Sequence, residues 1–157
     1  MATFEPDLSG TMISDLFHGH MSTLVVTDPH GRTPDTILSM TDDWHLKVEW
    51  QFHGTMVRGG MVGGKWRIQA FLESIGPGDE KIIATREVDI ATGGVADAFG
   101  RAYSETFRIG PQVPAAPGPY KLVTVITCVG STGIPGPFAG FDEYPMLQFY
   151  EGANLPQ

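Results

Sequence analysis

Five histidines offer the first chemistry. In extended chain His18 and His20 share one face about 7 Å apart, with Met12 and Met21 nearby. Imidazole with thioether is a copper-type ligand set, so His18 and His20 are the candidate metal ligands. The alternative, which is favoured, is a solvated pair near the amino terminus. His45 and His53 lie eight residues apart on one strand, about 27 Å at about 3.3 Å per residue, too far to share an ion. Asp28, Asp35, Asp42 and Asp43 fall within one segment but lack the spacing of a calcium loop; turn-forming Asp is the simpler reading. Gly59 to Trp66 nearly matches a phosphate-binding loop, yet Trp66 stands where the magnesium-ligating hydroxyl belongs. Trp44, Trp50 and Trp66 share the apolar parity of their strands, which favours core packing over a glycan-stacking platform; Trp44, at the start of its strand, is the one best placed to reach the surface. Catalytic signatures are thin. No G-x-S-x-G elbow occurs, and the single cysteine, Cys128, sits in an apolar run. A non-enzymatic chain with no cofactor is the expectation.

Period-2 alternation dominates the elements that must position these residues. Trp44, Leu46, Val48, Trp50 and Phe52 alternate with His45, Lys47, Glu49, Gln51 and His53, the pattern of a strand with one buried and one wet face. Trp66, Ile68, Ala70 and Leu72 repeat it, and the five glycines between the two blocks predict a hairpin-like connection. Ile82, Ala84, Val88 and Ile90 suggest the inner face of a further strand, broken by Arg86, which is expected at a rim. Strands are predicted at Met21–Thr27, Trp44–His53, 65–73, Lys81–Ile90, 103–109, Tyr120–Val129 and Pro145–Glu151, with a short helix or added edge at Met12–Phe17. The stretches at 89–100, 111–119 and 130–141 are read as Gly- or Pro-rich connections. Seven strands without a long amphipathic helix give an all-β fold, an antiparallel β-sandwich with long Gly/Pro-rich loops.

The strand count, the position of Trp66 near the start of the third strand, and the stretch Pro117-Gly118-Pro119-Tyr120-Lys121-Leu122 together resemble the immunoglobulin-like or fibronectin-type β-sandwich. In such modules a tyrosine in that setting anchors the corner before the sixth strand. The resemblance spans residues 21–151. It implies a seven-strand immunoglobulin-like sandwich, with residues 1–20 as an amino-terminal extension and 152–157 as a tail. The fold by itself passes on no function.

Composition narrows the partners. The chain has 157 residues, a formal net charge of −8 and 41% hydrophobic residues. That suits one domain with a real core, with neither the composition of disorder nor the basic surface of a nucleic-acid binder. Residues 1–31 and 122–157 contain no Lys or Arg, so the excess acidity lies in the two ends. The amino terminus has no signal-peptide pattern, and the longest apolar run is too short for a membrane span; a cytoplasmic chain is expected. Exposed apolar residues on glycine-rich loops need a cover. Met56, Val57, Met61, Val62, Ile134, Phe138 and Phe141 are therefore the candidate contacts to a protein partner or to another copy in a homo-oligomer. Metal binding through His18 and His20, or glycan binding at Trp44, is the alternative.

Overall fold

The computed structural model describes residues 2–5, 18–26, 36–59, 62–76, 80–111 and 113–151. Ten strands and one short helix follow in chain order: β1 (Ala2–Glu5), β2 (His18–Val26), β3 (Ile37–Ser39), β4 (Trp44–His53), α1 (Thr55–Arg58), β5 (Lys65–Ser74), β6 (Glu80–Asp89), β7 (Val95–Ala96), β8 (Gly100–Ile109), β9 (Gly118–Val129) and β10 (Pro135–Tyr150). Their hydrogen-bonded order is β6-β5-β9-β10-β1-β2-β4-β8-β7, with β3 paired to β10 off this path. All described pairings are antiparallel except β3 with β10.

The path curls on itself. Strand β1 joins its halves, pairing with β2 through Ala2 and Thr3 and with β10 through Phe4 and Glu5. The half built on β2, β4 and β8 then faces the half built on β5, β9 and β10 across an aromatic layer. Phe52 on β4 meets Trp66 on β5 edge to face, with ring centroids 5.1 Å apart. Phe4 meets Trp66 at 5.3 Å, and Trp44 meets Phe149 on β10 at 5.9 Å. Offset and edge-on contacts of this kind add to the burial of large apolar surfaces.

The alternating residues of β4 and β5 fill this core as their periodicity predicts: Trp44, Leu46, Val48, Trp50 and Phe52 from one side, Trp66, Ile68, Ala70 and Leu72 from the other, all buried. Cys128 is buried too, and burial raises its thiol pKa. The hydroxyl of Tyr120 donates to the Ala116 carbonyl at 2.8 Å, tying β9 back to the segment before it.

Several expectations are corrected. Among the described residues the strands number ten, not seven. Within residues 1–20, expected as an extension with a short helix or an edge strand, Ala2–Glu5 and the start of β2 are strand. Pro135–Tyr150 is one long strand that absorbs most of the segment expected as a Gly/Pro loop; its register shifts twice against β9, which lets an irregular composition stay in the sheet. The connection after β4 is no hairpin. Strand β4 pairs with β2 and β8, and β5 with β6 and β9, so residues 54–64 carry the chain from one half to the other. A register shift between Ala70 and Phe71 in the β5–β6 pairing inverts the end of β6, leaving Ile82 53% exposed while Ile83 packs against the core. Met12–Phe17 lies outside the described residues.

Candidate functional site

Two surfaces carry recognisable chemistry, one on each half.

The first is the outer face of the β6-β5-β9-β10 half. Register places Ile82 beside Phe71, Phe71 beside Val123, and Val123 beside Glu143; in the next row Thr85, Gln69, Val125 and Phe141 follow one another. Ile82 and Phe141 are more than half exposed, and Phe71, Val123 and Val125 are partly exposed. An apolar band thus crosses four strands. Ion pairs flank it: Lys121 Nζ lies 2.9 Å from Glu143 Oε1, and Arg67 lies 3.0 Å from Glu87. Glu143 raises the Lys121 pKa through its hydrogen bond and charge. These two cations are paired within the chain, while Glu73 and Glu80, exposed and opposite each other in register, add negative charge at one end of the band.

The second surface lies at the α1 end of the other half. Strand β2 pairs with β4 so that His18 stands opposite His53, with His20 on the same face. The His53 ring lies 5.5 Å from that of His18 and 5.9 Å from that of His20, both edge to face. Phe99 closes another side at 5.9 Å. The Asp97 carboxylate lies 3.6 Å from His53 Nε2 and accepts the amide N–H groups of Phe99 and Gly100, each at 2.8 Å. Those bonds, the one from Phe99 foremost, hold the Asp97 pKa below its ordinary value. Burial lowers the His53 pKa below 6.5; Asp97 opposes this, and His18 and His20 reinforce it. Helix α1 brings Thr55 and Arg58 alongside: Arg58 Nη2 donates to Thr55 Oγ1 at 3.3 Å and Nη1 to the Ala98 carbonyl at 3.5 Å. Together His18, His53, Gly54, Thr55, Arg58 and Phe99 line an open cavity of about 360 Å³.

The structure distributes the residues singled out from sequence. Phe141 lies on the apolar band. Ile134, 67% exposed, lies on the turn before β10. Val57 is buried and Val62 packs against the core, both on the segment that crosses between the halves; Phe138, on β10, also packs against the core and meets Phe52 at 5.6 Å. Met56 is half-buried on α1, and Met61 lies outside the described residues. Trp44 is 1% exposed, which removes the glycan platform proposed for it: its parity with Leu46 places it in the core. His18 and His20 come together, with His53 as an unforeseen third ring, but among the described residues no group of three His, Cys, Asp or Glu is arranged to hold a metal ion. Asp43 pairs with Arg108. Ile82, Phe71, Arg58 and Phe99 were missed as site residues. Only the outward parity of Phe71 hinted at any of them. No helix among the described residues is long and apolar enough to cross a membrane.

No protein-family model and no curated protein matches the chain. Solved structures do. A β-glucosidase from Listeria innocua in complex with glucose is similar with a TM-score of 0.50 and 13% identity, over 87% of this chain and 17% of that one. The same values hold for the complex with isofagomine. A β-glucosidase from Erythrobacter marinus is similar at a TM-score of 0.47 and 10% identity, over 84% of this chain and 16% of that one. The expectation of a non-enzymatic chain therefore does not stand, because the solved structures it resembles are those of enzymes. At these identities the likeness is one of fold. The chain spans about a sixth of the length of the structures it matches.

Proposed function

We propose that this chain is an immunoglobulin-like docking module that seats the outer face of its β6-β5-β9-β10 half on a larger protein body. The observation that supports this reading is the apolar band of Ile82, Phe71, Val123, Val125 and Phe141, flanked by ion pairs already satisfied within the chain. An apolar centre with a polar rim is the anatomy of a protein interface, and exposed apolar surface gathered in one place marks an interaction site. Lys121 and Arg67 at the rim are already paired within the chain, so the partner's main contribution is apolar surface. The immunoglobulin-like reading is supported by the hydrogen bond from Tyr120 to Ala116, the arrangement of a tyrosine corner. In the Listeria innocua structures a fold of this kind spans 17% of a much longer chain, which suits a module that works beside a larger body, and makes glucoside-cleaving enzymes the first partners to test.

The test is size-exclusion chromatography with light scattering, followed by affinity capture against a panel of β-glucosidases and other large proteins. Capture that falls at least tenfold in Phe141→Ser and Ile82→Ser supports the docking face. Capture unchanged by both variants sinks it, and so does a stable dimer broken by them, which would make the occupant a second copy of this chain.

A further inference from the structure

The histidine cavity lies on the other half of the molecule from the docking face and calls for a different occupant. We propose that it is a proton-dependent site for a small anionic ligand, a carboxylate or phosphate ester carried on a flat apolar body. Arg58 supplies the permanent charge. Its guanidinium carries five N–H donors, and the contacts to Thr55 and Ala98 engage Nη2 and Nη1 only at 3.3 and 3.5 Å. It therefore keeps the capacity for a paired, charge-assisted grip on an oxyanion. Phe99, 67% exposed and tilted against His53 with ring planes 49° apart, supplies a ring face for the apolar body.

The proton dependence follows from the groups around His53. From β2 come His18 and His20, from the turn before β8 Asp97, and from α1 Arg58. With His53 uncharged, the charges of Arg58 and Asp97 oppose one another. As pH falls, a proton added at His53, whose pKa burial holds below 6.5, places positive charge in a cluster where the rings of His18 and His20 lie within 6 Å. Asp97 offsets a single positive charge: its Oδ1 accepts the two amides, and its Oδ2 lies 3.6 Å from His53 Nε2. A bound anion relieves the remaining repulsion. By linkage, each proton taken up on binding gives up to about tenfold in affinity per pH unit.

Nuclear magnetic resonance titration of the histidine Cε1–H signals, with calorimetry at pH 5.5 and 7.5, tests this on the intact chain. The probes are phenyl phosphate and benzoate, with inorganic phosphate and phenol as the bodyless anion and the uncharged body. At pH 5.5 one of the two aromatic anions shifts the signals of all three histidines and binds at least tenfold more tightly than at pH 7.5. Whichever of the two binds more tightly names the anion class. Arg58→Gln, a change at an exposed position, reduces that binding at least tenfold, and Phe99→Ser brings phenyl phosphate down to the level of inorganic phosphate. No histidine shift with any anion at pH 5.5, equal affinity at the two pH values, equal binding of phenol, or binding indifferent to Arg58→Gln would each overturn the proposal.

Discussion

Arg86 on β6 pairs with Glu105 on β8, and its guanidinium sits 4.7 Å from the centroid of the Phe107 ring. These strands belong to opposite halves of the curled sheet, so the pair clasps it where no backbone hydrogen bond runs between them. In register Arg86 stands beside Ile68, whose side chain enters the core; at the margin of the layer the arginine on that face reaches across instead of being buried. The ion pair is partly exposed and contributes at most about 1 kcal/mol, and the cation–π contact about as much again. Arg86→Met keeps most of the apolar stem and removes both charge terms. Urea denaturation is expected to show a loss of about 1–2 kcal/mol, and Glu105→Gln in the Met background is expected to cost almost nothing further.

Phe4 is gripped between two glycines. A Cβ added to Gly140 would stand 2.5 Å from two atoms of the Phe4 ring and 2.8 Å from Met21 Sδ; one added to Gly19 would stand 2.5 Å from Phe4 Cδ2. Phe4 is 3% exposed and lies on the strand that joins the two halves, so its ring has little room to yield. Gly140→Ala is expected to cost about 1–3 kcal/mol, the range for overpacking. Thermal melts measure the loss, and tryptophan emission reports it because Trp66 packs on Phe4. Phe4→Leu should cost less in the Gly140→Ala background than in the unaltered chain, since the smaller side chain relieves the clash.

His53 makes stability depend on acid. Its pKa is lower in the folded chain than the ordinary 6.5, chiefly through burial, so the unfolded chain binds its proton first as pH falls. Stability is therefore whole above about pH 6.5 and declines as pH drops from there through the folded value. Asp97 acts further down: its folded pKa is depressed by amide hydrogen bonds, so its contribution is present above the unfolded carboxylate value and lost as pH falls through the folded one. Denaturant midpoints measured from pH 8 to 2 should fall as pH drops, and His53→Gln should flatten the limb above pH 5 while leaving the limb below pH 4 in place.

The inner face of β4 was legible because Trp44 through Phe52 alternate without a break, and the inner residues of β5 for the same reason. What the sequence could not show is which strands meet. His18 and His53 lie far apart along the chain and become neighbours only through the β2–β4 register. Arg58 and Phe99 join them through α1 and the turn before β8, again a long-range consequence. The glycines after β4 suggested a tight turn, but the same residue type serves a crossing between halves equally well. Ile82 was misplaced for a local reason: one register shift beside Phe71 reverses the parity from which its burial was inferred.

Among the described residues Thr124 is the buried polar residue of the core, 0% exposed, and its Oγ1 has no hydrogen-bond partner among them. It stands on β9 between Ala70 of β5 and Asp142 of β10. A hydroxyl without a partner forfeits its solvation on burial, at a cost of about 1–3 kcal/mol. Valine keeps the β-branched shape and removes the oxygen. Thr124→Val is expected to raise stability by about 1 kcal/mol, whereas Thr124→Ser, which keeps the hydroxyl and loses a methyl group, is expected to lower it by about as much. Paired urea titrations of the two variants separate the terms: a gain with valine assigns the cost to the hydroxyl, and a loss of more than 1 kcal/mol would mean that this oxygen has a partner in the folded chain.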